Sequence, residues 1–126
     1  MKRVLVDTSV WVEHFRNGSA HLVDLLLLDL VVTHPFVIGE IACGTPPLRS
    51  KTLSDLHQLQ PAQQATIQET IAFIERENLS GKGCGLIDLV LLASTLLTPG
   101  VELWTQDKRL ATLAEHFGVQ HLAMPH

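Results

Sequence analysis

Four acidic side chains stand in apolar surroundings where a solvent-exposed carboxylate is not expected. They lie far apart along the chain, at Asp7, Glu40, Asp88 and Asp107. Carboxylates brought together repel one another and raise each other's pKa unless a cation lies between them. Oxygen ligands without His or Cys suit a hard cation such as Mg²⁺ or Mn²⁺, which also binds phosphate. The four acids therefore predict metal-assisted hydrolysis of a phosphodiester.

Each acid also has a purely structural explanation. Asp7 follows the apolar run "RVLV" and Asp107 follows "VELWTQ", and both precede a predicted helix, where aspartate commonly caps the N-terminus. Asp88 lies in the first turn of an apolar helix, where the helix dipole favours a negative charge. Glu40 shares a helical stripe with apolar residues and is predicted to face them. Taken singly the acids fit these roles, whereas the four together favour a site.

Hydroxyl side chains accompany two of the aspartates. Thr8 and Ser9 follow Asp7 directly, and Thr105 precedes Asp107 by two residues. In metal sites such hydroxyls form hydrogen bonds with the metal-binding side chains and fix their orientation. Helix capping is the alternative function of these hydroxyls.

The elements that must position these residues follow from the spacing of apolar side chains. Strands are predicted over 3–7, 30–34, 101–105 and 119–123, and helices over 8–16, 21–30, 35–44, 48–59, 65–79, 86–97 and 107–117. In the helix over 65–79, Ile67, Ile71 and Ile74 form the apolar stripe. Strands that alternate with helices, without a hairpin signal, predict a three-layer α/β/α sandwich with a mainly parallel central sheet. Ligands bind beyond the carboxyl ends of such strands, where Asp7 and Asp107 fall.

Composition limits the class of protein. The chain has 126 residues, 46% of them hydrophobic, which predicts one domain spanning 1–126. Thirteen acidic and nine basic residues give a net charge of -4, so general basicity is excluded as a route to nucleic acid. Neither a signal peptide nor a membrane-spanning run is visible, which predicts a soluble cytoplasmic protein without a membrane partner. Cys43 and Cys84 lack metal or redox spacing and are expected to be packed, reduced thiols.

A glycine-rich segment, "SGKGCG", covers residues 80–85. It has no Ser or Thr after its lysine, as a Walker A loop requires, and its glycines do not complete the dinucleotide-binding pattern. We expect a flexible active-site loop here. The seven histidines are scattered without metal-ligand spacing and receive no role.

Four sequence blocks together resemble the PIN-domain ribonucleases, and more narrowly the VapC toxins of type II (VapBC) toxin-antitoxin systems. They are "LVDTSVWVEH" with Asp7, "HPFVIGEIACG" with Glu40, "GLIDLVLLAS" with Asp88 and "LWTQDKRLATLA" with Asp107. The blocks span nearly the whole chain in the family's order. One departure is that some PIN nucleases carry a further acid shortly after the last aspartate, where this chain has Lys108 and Arg109.

The resemblance implies a Mg²⁺- or Mn²⁺-dependent endoribonuclease toxin that cleaves tRNA or rRNA and halts translation. It implies Asp7, Asp88 and Asp107 as metal ligands, Glu40 as a further catalytic acid, and Thr8, Ser9 and Thr105 as their supports. It also implies a homodimer and a VapB-type antitoxin, through which the pair would bind operator DNA. Lys82, Lys108 and Arg109 border the expected site and are the candidate RNA contacts, whereas Trp11 and Trp104 are expected in the core.

Three other functions share some of these sequence features. A haloacid-dehalogenase-type phosphohydrolase also places an aspartate after its first strand, but it needs a second aspartate two residues on, where this chain has Ser9. A receiver domain needs a cluster of acids near its first strand, which is absent from the sequence. A PIN fold that binds RNA or acts as a scaffold without cleavage is the remaining alternative. Retention of all four acids favours the enzyme.

Overall fold

The computed structural model describes residues 1–123. The strands are β1 Arg3–Val6, β2 Val31–Thr33, β3 Gln60–Pro61 and β4 Val101–Trp104. The helices are α1 Thr8–Asn17, α2 Ala20–Leu27, α3 Pro35–Cys43, α4 Arg49–His57, α5 Ile67–Glu77, α6 Leu86–Leu97 and α7 Lys108–His116. No helix among the described residues is long and apolar enough to cross a membrane.

All strand pairs in the sheet are parallel, and the order is β3-β2-β1-β4. Because β1 has neighbours on both sides and helices on both faces, its residues Val4, Leu5 and Val6 are completely buried. The predicted three-layer α/β/α architecture is therefore confirmed. Val6 pairs with Trp104, so the carboxyl ends of β1 and β4 lie at the same edge of the sheet.

A buried histidine links helices α3 and α6 through hydrogen bonds. His34, at the N-cap of α3, accepts a hydrogen bond at Nδ1 from the N–H of Phe36 (3.0 Å), and its Nε2 lies 3.2 Å from Oγ of Ser94 in α6. Because Nδ1 accepts, Nε2 carries the proton and donates to Ser94. Burial lowers the pKa of His34, which favours this neutral form. The histidine thus has a structural function that joins α3 to α6.

The structure corrects three details of the sequence prediction. A two-residue strand, β3, follows α4 and was not predicted, because Pro61 indicates a break; proline is tolerated there because β3 is an edge strand. The strand predicted over 119–123 is wrong: it is reduced to a single bridge between Gln120 and Leu103. The stripe predicted for α5 is wrong at two of its three positions: Ile74 packs against the core, but Ile67 and Ile71 are half-exposed, and the helix buries Thr70 and Phe73 instead.

Candidate active site

Asp7 lies at the carboxyl end of β1 and is almost completely buried, with 6% of its surface exposed. Its Oδ2 accepts hydrogen bonds from Oγ of Ser9 and Oγ1 of Thr105, both at 2.8 Å. Although Asp7 is the N-cap residue of α1, its side chain makes no capping hydrogen bond. Among residues 1–123, Oδ1 accepts no hydrogen bond, so capping does not account for this carboxylate and one oxygen remains for a ligand.

The two hydroxyls that hold Asp7 also bind the loop after β4. Oγ of Ser9 accepts the N–H of Gln106, and Oγ1 of Thr105 accepts the N–H of Asp107, each at 3.0 Å. Because a carboxylate oxygen accepts hydrogen bonds and does not donate them, both hydroxyls donate their protons to Oδ2 of Asp7. Two short chains of hydrogen bonds, one through Ser9 and one through Thr105, therefore fix the Asp7 carboxylate relative to the loop after β4.

Asp107 is the N-cap residue of α7 and is exposed to solvent. Its Oδ1 accepts the N–H of Leu110 at 2.9 Å, an N-cap hydrogen bond. The capping function is therefore confirmed for Asp107. The second carboxylate oxygen accepts no hydrogen bond from the described residues, so the same side chain can cap the helix and contribute to a site.

Asp88 occupies the first turn of α6 and is half-buried. Burial raises the pKa of Asp88, and the negative charges of Asp7 and Asp107 raise it further, while a hydrogen bond from the N–H of Gly85 (3.3 Å) opposes the shift. An aspartate feels other carboxylates in this way only when they are close in space. The fold therefore brings Asp7, Asp88 and Asp107 near one another.

Glu40, on α3, is exposed, which corrects the prediction that it faces an apolar surface. Oγ1 of Thr8 donates to its Oε1 at 2.7 Å, so the Thr8 hydroxyl serves Glu40 and does not cap α1. α3 packs against α1 and α4 and buries Val37 and Ile41, whereas Glu40 on the same helix faces solvent. An open groove of about 480 Å³ runs beside it and is lined by residues of α1, α3 and the loop after α3, Arg16 among them.

The predicted RNA contacts are all at the surface. Lys82, Lys108 and Arg109 are exposed, and none of them forms an ion pair with another described residue. Their charges are therefore available to an anionic ligand. Trp11 and Trp104 are buried, as predicted, and are not available to stack on a base.

Asp7, Asp88 and Asp107 offer only oxygen atoms as metal ligands, and hard cations prefer oxygen ligands. Within residues 1–123, however, no group of three or more His, Cys, Asp and Glu side chains is already arranged to hold a metal ion. Mutual repulsion of uncompensated carboxylates opposes their full convergence. The chemistry of the donors fits Mg²⁺ or Mn²⁺, and a bound cation would have to draw them together.

Sequence reasoning missed two features of this region. The backbone N–H of Gln106 completes one chain of hydrogen bonds to Asp7, and no side-chain pattern reveals such a donor. Gly83 lies against the side chain of Arg109, a contact that only the packing of two distant loops creates. Cys43 was expected to be packed but is exposed, because it lies at the end of α3, and Cys84 is partly buried.

Comparison with known proteins agrees with this geometry. The family model described as "PIN domain" matches residues 4–116. Two proteins named "Ribonuclease VapC32", from Mycobacterium tuberculosis strains CDC 1551 / Oshkosh and ATCC 25618 / H37Rv, are each 42% identical to this chain over 116 residues, covering 92% of the chain and 94% of the relative. The match includes the strand ends and helices that carry all four acids. The chain therefore belongs to the PIN domain family and is VapC-like.

Proposed function

We propose that this chain is a Mg²⁺- or Mn²⁺-dependent endoribonuclease toxin. The observation that carries the proposal is the buried Asp7 carboxylate at the end of β1, whose Oδ2 is held by Ser9 and Thr105 while Oδ1 accepts no hydrogen bond from the described residues. The 42% identity to named VapC ribonucleases supports RNA as the substrate. We propose tRNA or rRNA as the target class. A single catalytic domain over residues 1–126 is part of this proposal.

Each residue has a defined part in the reaction. Asp7, Asp88 and Asp107 would hold the cation through the oxygens that hydrogen bonds leave available. When bound, the cation polarises the phosphodiester and lowers the pKa of a water molecule. Ser9 and Thr105 keep Oδ2 of Asp7 in place, so its other oxygen is directed at the site.

Glu40 would act on the attacking water. Thr8 holds Oε1 of Glu40, which leaves Oε2 to accept a proton from a water molecule at the solvent-facing side of the site. Lys82, Lys108 and Arg109 would bind RNA phosphates on either side of the scissile bond and offset the net charge of -4. These contacts position the strand without reading its sequence.

The partners proposed for this chain follow from its similarity to proteins named VapC. We propose a cognate VapB-type antitoxin that covers the acidic site, a homodimeric toxin, and operator binding only through the antitoxin. A cytoplasmic location fits an enzyme that acts on RNA of the translation machinery. Growth arrest on expression, relieved by co-expression of the neighbouring small gene, would support the toxin and its partner.

The function is tested with purified, antitoxin-free protein and total RNA. We expect cleavage with Mg²⁺ or Mn²⁺, no cleavage in EDTA, and recovery when excess Mg²⁺ is restored. The Asp7→Asn variant, purified identically, controls for contaminating nucleases. Cleavage that persists in EDTA would refute the metal dependence, and RNA binding without cleavage under every condition would favour the non-cleaving module.

A further inference from the structure

The glycine-rich loop before α6 contacts the side chain of Arg109, at the start of α7. A β-carbon on Gly83 would lie 2.5 Å from Cδ, 2.9 Å from Nε and 2.9 Å from Nη1 of Arg109. Real β-carbons do not approach other atoms to 2.5 Å. Arg109 can therefore occupy this place only because residue 83 has no side chain.

The same loop supplies a natural comparison. Gly81 and Gly83 both have a positive φ, +73° and +84°. At both positions, a residue with a side chain would disfavour this backbone conformation. A β-carbon on Gly81, however, would meet no described atom within 4 Å. Backbone conformation accounts for glycine at 81, whereas position 83 also leaves room for Arg109.

This contact places a positive charge against the loop that leads into α6, the helix that carries Asp88. Burial and the charges of Asp88 and Asp107 raise the pKa of Cys84, the neighbour of Gly83, whereas the charge of Arg109 lowers it. Arg109 and the two carboxylates are thus close enough to act on one group. The guanidinium nevertheless forms no ion pair within residues 1–123, so its donors remain available.

We infer that Gly83 is a positioning residue: it provides the surface on which Arg109 lies, so that the guanidinium binds an RNA phosphate next to the aspartates. The inference rests on the proposed function and adds a residue to it. A guanidinium binds a phosphate through two parallel N–H donors, which requires a fixed orientation of its plane. A side chain lying along the loop meets this requirement better than a freely rotating one, because less rotamer entropy is lost on binding.

The test compares Gly83→Ala with the matched control Gly81→Ala, together with Arg109→Ala and the double variant. The substrate is a fluorescently labelled single-stranded RNA oligonucleotide with Mg²⁺. We expect kcat/KM to fall about tenfold in Gly83→Ala and in Arg109→Ala, the loss of one charged hydrogen-bonded contact. Gly81→Ala introduces the same strain of a positive φ but no clash with Arg109, so its kcat/KM should stay within about twofold of wild type.

The double variant separates positioning from general damage to the loop. If Gly83 acts through Arg109, adding Gly83→Ala to Arg109→Ala should cause no further loss. Binding of the same RNA in EDTA should show a salt dependence whose slope is smaller by about 0.7 in both single variants, as for one lost phosphate contact. Additive losses, or equal losses in Gly81→Ala and Gly83→Ala, would overturn the inference.

An NMR measurement tests the contact without any activity. Wild-type protein should show a nuclear Overhauser effect between Hα of Gly83 and Hδ of Arg109, and its absence would overturn the inference. If wild type shows this contact but cuts no RNA, the proposed nuclease fails, while the contact and the salt dependence of binding still stand. If wild type cuts RNA and Gly83→Ala cuts equally well, the positioning role alone fails.

Discussion

Asp7 and Asp107 occupy corresponding places in the fold, yet their carboxylates do different things. Each is the N-cap residue of the helix that follows one of two neighbouring parallel strands. Asp7 is buried, is held by two hydroxyls and makes no side-chain cap, whereas Asp107 is exposed and caps α7 through Leu110. The same residue type in the same local setting can thus serve two purposes.

Sheet topology explains the difference. β1 is interior in the described sheet, so the end of β1 is covered by the loop that follows β4. Thr105 and Gln106 in that loop bring a hydroxyl and an N–H toward Asp7 and its neighbour Ser9. Asp107 lies three residues beyond the end of β4, where solvent reaches it. The loop after the neighbouring strand, together with the local hydroxyl of Ser9, holds the Asp7 carboxylate in place.

The largest effect is expected from Asp7→Asn, which removes the enclosed charge while keeping the shape. Metal-dependent kcat/KM should fall by more than about 100-fold, since loss of an outer partner alone costs 10–100-fold. Asp24→Asn, at an exposed position on α2, is the matched control and should cleave normally. Retention of a tenth or more of the activity by Asp7→Asn would show that Asp7 is not a direct ligand.

A smaller loss is expected when the support of Asp7 is removed and the aspartate is left in place. Thr105→Val deletes the hydroxyl that donates to Asp7 and accepts from the N–H of Asp107. The Mg²⁺ concentration for half-maximal cleavage should rise about 10–100-fold. Thr112→Val, which removes an exposed hydroxyl bonded to the carbonyl of Lys108, should leave it unchanged. An unchanged Mg²⁺ requirement in Thr105→Val would contradict the support role.

The two functions of Asp107 can be separated by choice of substitution. Asp107→Ala removes both cap and charge, and the free energy of unfolding should fall by about 1 kcal/mol. Asp107→Asn keeps an efficient cap and should retain that stability, while both variants lose activity. Denaturant unfolding alongside cleavage assays measures the two effects. Equal stability of the two variants would refute the capping contribution.

The smallest effect concerns pH and Asp88 in metal-free protein. Because the pKa of Asp88 is raised above its ordinary value of 3.8, the folded state holds this proton more tightly than the unfolded state. Stability in EDTA should therefore decrease as pH rises from about 4 through the raised pKa. Asp88→Asn should flatten this part of the curve, as measured by urea unfolding at several pH values. An identical pH dependence in both proteins would exclude Asp88 as its source.

The sequence by itself determined the alternation of strands and helices and the kinds of ligand available. The continuous apolar run of β1, the Pro35 start of α3 and the 86–97 helix are local signals, and the structure has them at these positions. Local patterns missed β3 and misplaced the buried stripe of α5, because edge pairing and the choice of packed face depend on distant elements.

Only the tertiary structure decided which oxygens of the acids are available and what supports them. Thr8 holds Glu40, Thr105 holds Asp7, and Gly83 makes room for Arg109, and each of these contacts joins segments well separated in sequence. Residue types and spacing within one segment cannot encode such contacts, because the partner is chosen when parallel strands bring their ends together at one edge of the sheet. The residue types predicted metal-assisted hydrolysis of a phosphodiester, and the packing around the strand ends determined which contacts each acid makes.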